Sequence, residues 1–365
     1  MVRLWRALGW RFLIGALLCC LASAAGAGER PRVIFVNPGK PDEPFWPMLA
    51  AVMKAAASQL DMSLDIEWAL RDRIAMVDLG VQAARARPDY LVLVNEQRSA
   101  WAGFEEAAKL GVKVLLLNNP FSGTDLARFG GPRERFANYI GALLPDNVAA
   151  GRTMALALAR AAIARGDSDP LDLLAINGLS ATPAAADRFA GLQQALAEEP
   201  RLRLVAHTEV EWSRAAAADA VEGLLLRHKG LQLVWAASDV MGLGAIDAAV
   251  RAGIAGDRRW LVTGLNWSPD GLAAIRDGRM LMAVGGHFMA GGFALVMLRD
   301  YHDGRDFAEV GATQHMPFAV LDRSNVDAYV ARYGGGNWGQ IDFTALRRRT
   351  GDPGYRFDPA VLTRR

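Results

Sequence analysis

Apolar and polar positions along this chain follow two alternating rhythms. Val33, Ile34, Phe35 and Val36 are consecutive and mostly β-branched, the signature of a strand buried on both faces. A Pro/Gly-rich loop follows, then the adjacent aromatics Phe45 and Trp46, and after Pro47 a helical pattern over 48–60. Further strands are expected over 64–68, 90–94 and 112–117, separated by helices over 74–86 and 101–110, the second stopped by Gly111. Strand and helix alternating in this way predict a parallel sheet with helices on both faces.

The polar, Gly/Pro-marked stretch 121–136 reads as a surface excursion. A short strand over 139–142 leads through Pro145 into a helix over 148–165, with Asp146 or Asn147 as its N-cap. A second series then begins, with strands over 171–176, 202–210, 231–234 and 260–262. Its helices are expected over 184–198, 214–227 and 242–251, with a last one running through Ile275. The rhythm recurs without a close residue-level repeat, so two similarly built lobes are expected. Beyond Gly334, Gly335 and Gly336, few apolar residues keep any period. The segment 334–365 reads as an irregular tail laid over the surface, with disorder as the alternative.

The N-terminus changes the picture. Arg3, Arg6 and Arg11 precede a short apolar core and the small residues Ala25, Gly26 and Ala27, so residues 1–27 read as a secretory signal peptide cleaved after Ala27. A retained anchor is the alternative, but no stretch reaches the ~20 apolar residues of a spanning helix. Both cysteines, Cys19 and Cys20, leave with that segment, so the mature chain has no disulfide, thiolate metal site or cysteine nucleophile. It must rely on its core, and it is long enough for two domains. The formal charge of +2 includes three signal-peptide arginines, so the mature chain carries about −1, which argues against a nucleic-acid or anionic-membrane binder.

In an open α/β sheet, ligands sit beyond the carboxyl ends of the strands. Phe45 and Trp46 occupy that position, where their faces either stack on a ring or sugar face or simply pack the helix start. Four stretches then carry a family resemblance: the opening strand with Pro44, Phe45 and Trp46; Asp146 and Asn147 leading to Gly151; Arg188 leading to Gly191; and Ser238 and Asp239 leading to Gly244 and Ala245. Together they resemble the type I periplasmic binding proteins, especially the ribose- and galactose-type sugar binders. They also resemble relatives that report to membrane sensor kinases, such as the autoinducer-2 receptor.

That resemblance implies an α/β fold of two Rossmann-like lobes, parallel sheets flanked by helices, joined by three hinge crossovers. The N-terminal lobe would hold 31–142 and 288–311, and the C-terminal lobe 143–287 and 312–333, leaving 334–365 as the tail. It also implies a ligand site of Phe45, Trp46, Asn95, Asn118, Arg188, Trp212, Ser238, Asp239, Asn266 and His287. Sugar binders of the family commonly place carboxylates where this chain has Asn118 and Asn266. With fewer carboxylates near Arg188, whose alternative role is a salt bridge to a neighbouring helix, the site suits a ligand richer in acceptor oxygens, such as a sugar acid.

An enzyme is not expected. The five histidines are scattered and form no metal motif, and no Gly-x-Ser-x-Gly elbow or phosphate loop occurs. The chain is therefore expected to bind a monosaccharide, sugar acid or polyol in the periplasm as a monomer, without cofactor, metal or nucleic acid. Its output would go to the membrane permease of an ABC importer or, alternatively, to the periplasmic domain of a sensor.

Overall fold

A computed structural model describes residues 30–363, apart from 168, 229 and 254–259. The expected signal peptide lies outside the described residues. The first half of the chain runs β1 (Arg32–Asn37), α1 (Phe45–Gln59), β2 (Ser63–Trp68), α2 (Arg73–Arg85), β3 (Tyr90–Leu93), α3 (Trp101–Leu110), β4 (Lys113–Leu117), α4 (Gly123–Phe129), β5 (Tyr139–Pro145) and α5 (Asn147–Arg165). Then come β6 (Leu171–Asn177), α6 (Pro183–Glu198), β7 (Leu202–Glu209), α7 (Arg214–Leu225), β8 (Leu233–Ala236), α8 (Asp239–Arg251), β9 (Leu261–Leu265), α9 (Pro269–Asp277) and β10 (Met282–Gly285). The chain ends with α10 (Ala290–His302), β11 (Thr313–Met316), β12 (Ala319–Asp322) and α11 (Val326–Tyr333), followed by the tail.

These strands form two six-stranded sheets, ordered β11-β5-β4-β3-β1-β2 and β12-β10-β9-β8-β6-β7. All pairings are parallel except β10 with β12. The central strand β1 is buried from Val33 onward, whereas the edge strands β2 and β7 are mostly half-exposed, as covered centres and open rims require. This is the expected α/β architecture of two helix-flanked sheets.

The chain passes between the sheets three times: after β5, after β10 and between β11 and β12. Strand pairing moves two of the expected lobe limits. β5 stays in the first sheet through Pro145, and β11 pairs with it there from Thr313 to Met316. Limits at 142/143 and 311/312 would therefore cut or misassign strands of the first sheet, and the passages fall after Pro145 and Met316. Within the expected surface excursion, residues 123–129 form a short helix with Asp125 and Phe129 buried.

The tail is also part of the core. Trp338, Ile341, Phe343, Phe357 and Leu362 are buried. Phe343 packs on Gly292 of α10, where a Cβ would lie 2.3 Å from its ring. The Gln59 side chain at the end of α1 donates to Ile341 O at 2.8 Å and accepts from Phe343 N at 2.9 Å. The fully buried Asp300 accepts hydrogen bonds from Arg305, Arg347, the Arg348 backbone and Tyr355 at 2.8–3.2 Å. These contacts fix the tail where the sequence suggested a surface layer or disorder. Among the described residues, no helix is long and apolar enough to cross a membrane.

Candidate ligand-binding cleft

A cavity of about 220 Å³ lies between the carboxyl ends of the two sheets. That is room for on the order of ten waters or one compact polar molecule. Its lining comes from the residues that follow successive strands: Glu96 after β3, Asn118 and Asn119 after β4, Trp212 after β7, Ser238 after β8, Asn266 after β9 and His287 after β10. Helix starts complete it, with Phe45 and Trp46 of α1, Asn147 of α5, Ala184 of α6 and Val240 of α8.

Both lobes supply an aromatic wall. Phe45 and Trp46 meet edge to face, with ring centroids 5.0 Å apart, and Phe45 also stacks on His287 at 4.4 Å. From the other lobe comes Trp212, whose ring lies over Gly178, where a Cβ would sit 2.1 Å from it. The guanidinium of Arg188 lies 5.7 Å from the Trp212 ring centroid, a cation–π arrangement. Arg188 is held by Nε donating to Asn147 Oδ1 and Nη1 donating to Ala237 O, each at 2.8 Å. Its placement depends on two glycines: Gly151 of α5 faces Arg188 O and Gly191 of α6 faces Val148 O, and a Cβ at either would come within 2.0 Å of the opposing carbonyl. Only paired glycines allow α5 and α6 to approach so closely.

The polar lining is left wanting partners. Asn118 is 7% exposed, and among the described residues neither end of its amide has a hydrogen bond. Glu43 Oε1 and His287 Nδ1 are likewise buried without partners. Unmet buried groups of this kind are costly unless something fills the site. The backbone is strained at the same place: Asn118, Trp212 and Asn266 have φ of +62°, +52° and +119°. Asparagine tolerates such values better than most residues, whereas a tryptophan there is unusual.

Among the described residues, two side-chain-mediated hydrogen bonds cross the cleft between the lobes. Thr182 Oγ1, at the start of α6, donates to Glu96 Oε1 at 3.1 Å, and Ala184 N donates to Asn119 Oδ1 at 3.2 Å. Glu96 also accepts from Asn119 Nδ2 at 2.8 Å, with Arg71 Nη1 3.9 Å away. Burial pushes the Glu96 carboxyl above its usual range, and Arg71 and Thr182 oppose the shift only in part. Burial lowers the Arg188 guanidinium to about 10. It also holds His287 well below 6.5, helped by the nearby Arg188 charge, so the ring between Phe45 and Phe318 is neutral.

A family model described as a periplasmic binding protein domain matches residues 33–306. The chain belongs to the periplasmic binding proteins. A solved periplasmic sugar-binding protein from Pseudomonas fluorescens is 32% identical to it, with a TM-score of 0.81 over 92% of this chain and all of the other. The ribose import binding protein of Salmonella typhimurium is 30% identical over 139 residues, which is 38% of this chain and 44% of that relative's length. The Haemophilus influenzae protein of the same description is 24% identical over 250 residues, 64% of this chain and 82% of the relative.

In this periplasmic binding protein, eight of the ten expected site residues line the cavity: Phe45, Trp46, Asn118, Arg188, Trp212, Ser238, Asn266 and His287. Asn95 and Asp239 do not. Asn95 is a loop brace, donating to Pro120 O and accepting from Ala100 N. Asp239 is buried behind the wall, where it accepts from Ser268 N at 2.5 Å, and burial pushes its carboxyl up to about 6. In both cases the adjacent residue, Glu96 or Ser238, lines the cavity. Glu43, Arg71, Glu96, Asn119, Asn147, Thr182 and Arg214 also line the cleft and had not been singled out as site residues. Asn147 enters the sequence reading as a candidate helix cap and as part of a family-like stretch, not as a site residue.

Proposed function

We propose that this binding protein captures a sugar or sugar-like polyol by closure of its two lobes and delivers it to the permease of an ABC importer. The observation that carries this reading is Asn118, whose buried amide has neither end partnered among the described residues, in the lining of a cavity walled by Phe45, Trp46 and Trp212. A hydroxyl both donates and accepts, so it matches both ends of an amide. Aromatic faces match the C–H face of a sugar ring. The Thr182–Glu96 and Ala184–Asn119 bonds exist only when the lobes meet, so ligand bound across both lobes shifts an open–closed equilibrium towards closure. The protein then acts in the periplasm, as a monomeric binder rather than a catalyst, and the likeness to ribose import binding proteins supports delivery to a permease.

Deleting the gene tests the delivery step. Loss of growth on, and uptake of, one carbon source is the expected result. Normal growth with an altered transcriptional response contradicts delivery and points to a membrane sensor as the recipient.

A further inference from the structure

The charge around the cleft singles out one group. Arg71 is bound to Glu43 at 2.9 Å, and Arg214 to Asp247 and Asp270 at 2.7–3.2 Å. Arg188 is different. It is 5% exposed, and among the described residues no carboxylate lies within 4 Å of it. Its hydrogen-bond partners, Asn147 Oδ1 and Ala237 O, are both neutral, as is the Trp212 ring it lies over, and Nη2 makes no hydrogen bond among the described residues. Glu96, Asp187 and Asp239 act on it only at a distance and do not offset its burial. A desolvated guanidinium without a counter-charge is costly and is offset by an anion placed against it.

The surroundings favour the same sign. Cap or first-turn residues of α1, α5, α6 and α8 line the cavity, so the positive ends of four helices converge there. Asn118 and Asn266 present amides rather than carboxylates to the ligand. Glu96 is already occupied by Asn119 and Thr182. Glu43 turns Oε2 to Arg71, and its Oε1 is buried without a partner among the described residues. Arg188 is the lining arginine with no directly bonded carboxylate among the described residues, which suits a single negative charge rather than a phosphate dianion.

We infer that the cleft takes a polyhydroxylated monocarboxylate, a sugar acid, with its carboxylate against Arg188 and its hydroxyls towards Asn118, Asn266 and Glu43. This rests on the cleft being the sugar site proposed above. A guanidinium and a carboxylate form charge-assisted, geometrically matched hydrogen bonds, so the acid gains over its neutral parent.

The test is calorimetric titration of the mature protein with matched pairs: galactose with galacturonate and galactonate, glucose with glucuronate and gluconate, and ribose with ribonate. Within at least one set the acid should bind 10-fold or more tightly than the sugar, with the preference shrinking as salt rises. Arg188→Lys should keep that preference, and Arg188→Gln should lose it. Should Arg188→Gln fail to fold, the wild-type pairs and their salt dependence still decide. A neutral sugar that binds more tightly than its acid overturns the inference and leaves the sugar cleft standing. Silence from every member of every set overturns both.

Discussion

Thr182 occupies the N-cap position of α6, yet its hydroxyl makes no capping bond. It reaches across the cleft instead and donates to Glu96 Oε1 at 3.1 Å. Thr182→Val removes that hydroxyl, keeps the branched shape and leaves the helix start as it was. With the lobes apart, water serves both groups and the substitution costs little. With the lobes together, Glu96 Oε1 is buried and keeps only Arg71, 3.9 Å away. A buried hydrogen bond to a charged group contributes about 1.5–3 kcal/mol. The whole loss falls on the closed state, so Kd should rise roughly 10- to 150-fold. Tryptophan fluorescence titration with a sugar that stabilises the wild type measures it, and thermal denaturation without ligand supplies the control. An unchanged Kd would refute the reasoning, as would an unliganded melting temperature that falls as far as the liganded one.

Three further outcomes follow from the packing and the charges. Gly151→Ala places a methyl 1.9 Å from Arg188 O, so α5 and α6 must separate; urea denaturation should register a loss of about 1–3 kcal/mol, with weaker ligand binding because Arg188 moves with α6. Phe343→Ala empties a fully buried site between the tail and α10, and the same measurement should give a loss of about 3–5 kcal/mol if the tail is core. His287, held neutral in the fold, cannot take the proton that the unfolded chain binds below pH 6.5. Stability should therefore fall as pH drops through that value, by about 1.4 kcal/mol per unit relative to His287→Asn. Asp239, pushed up to about 6, has the opposite sign and favours the fold as pH falls towards 3.8, so only the difference between wild type and variant isolates the histidine.

The double strand–helix series was legible because buried parallel strands are short apolar runs, and Val33–Phe35 or Leu115–Leu117 stand out from their flanks. Helix α4 was not, since seven residues with only Asp125 and Phe129 buried leave no readable period. The tail's buried residues, at 338, 341, 343, 348, 357, 359 and 362, follow neither a helical nor a strand spacing. Their burial comes from a surface built by α1 and α10, far away in sequence. The aromatic and arginine parts of the cleft could be read because their residue types are distinctive at strand ends and helix starts. Glu96, Asn119 and Thr182 could not, because their meaning arises only when two lobes bring isolated polar residues together. Asn95 and Asp239 were each one position from a residue that lines the cavity, at the start of a helical turn where consecutive side chains point in different directions.

The central claim is that a sugar-like ligand sits in the cleft between the lobes. Thermal denaturation of the protein against a panel of sugars, polyols and sugar acids, run beside Trp212→Ala, tests it most directly. A ligand that binds only the folded state raises the melting temperature by mass action. The account predicts a clear rise for at least one member of the panel in the wild type and its loss in Trp212→Ala. A rise that persists undiminished in the variant, or no rise from any member, contradicts it.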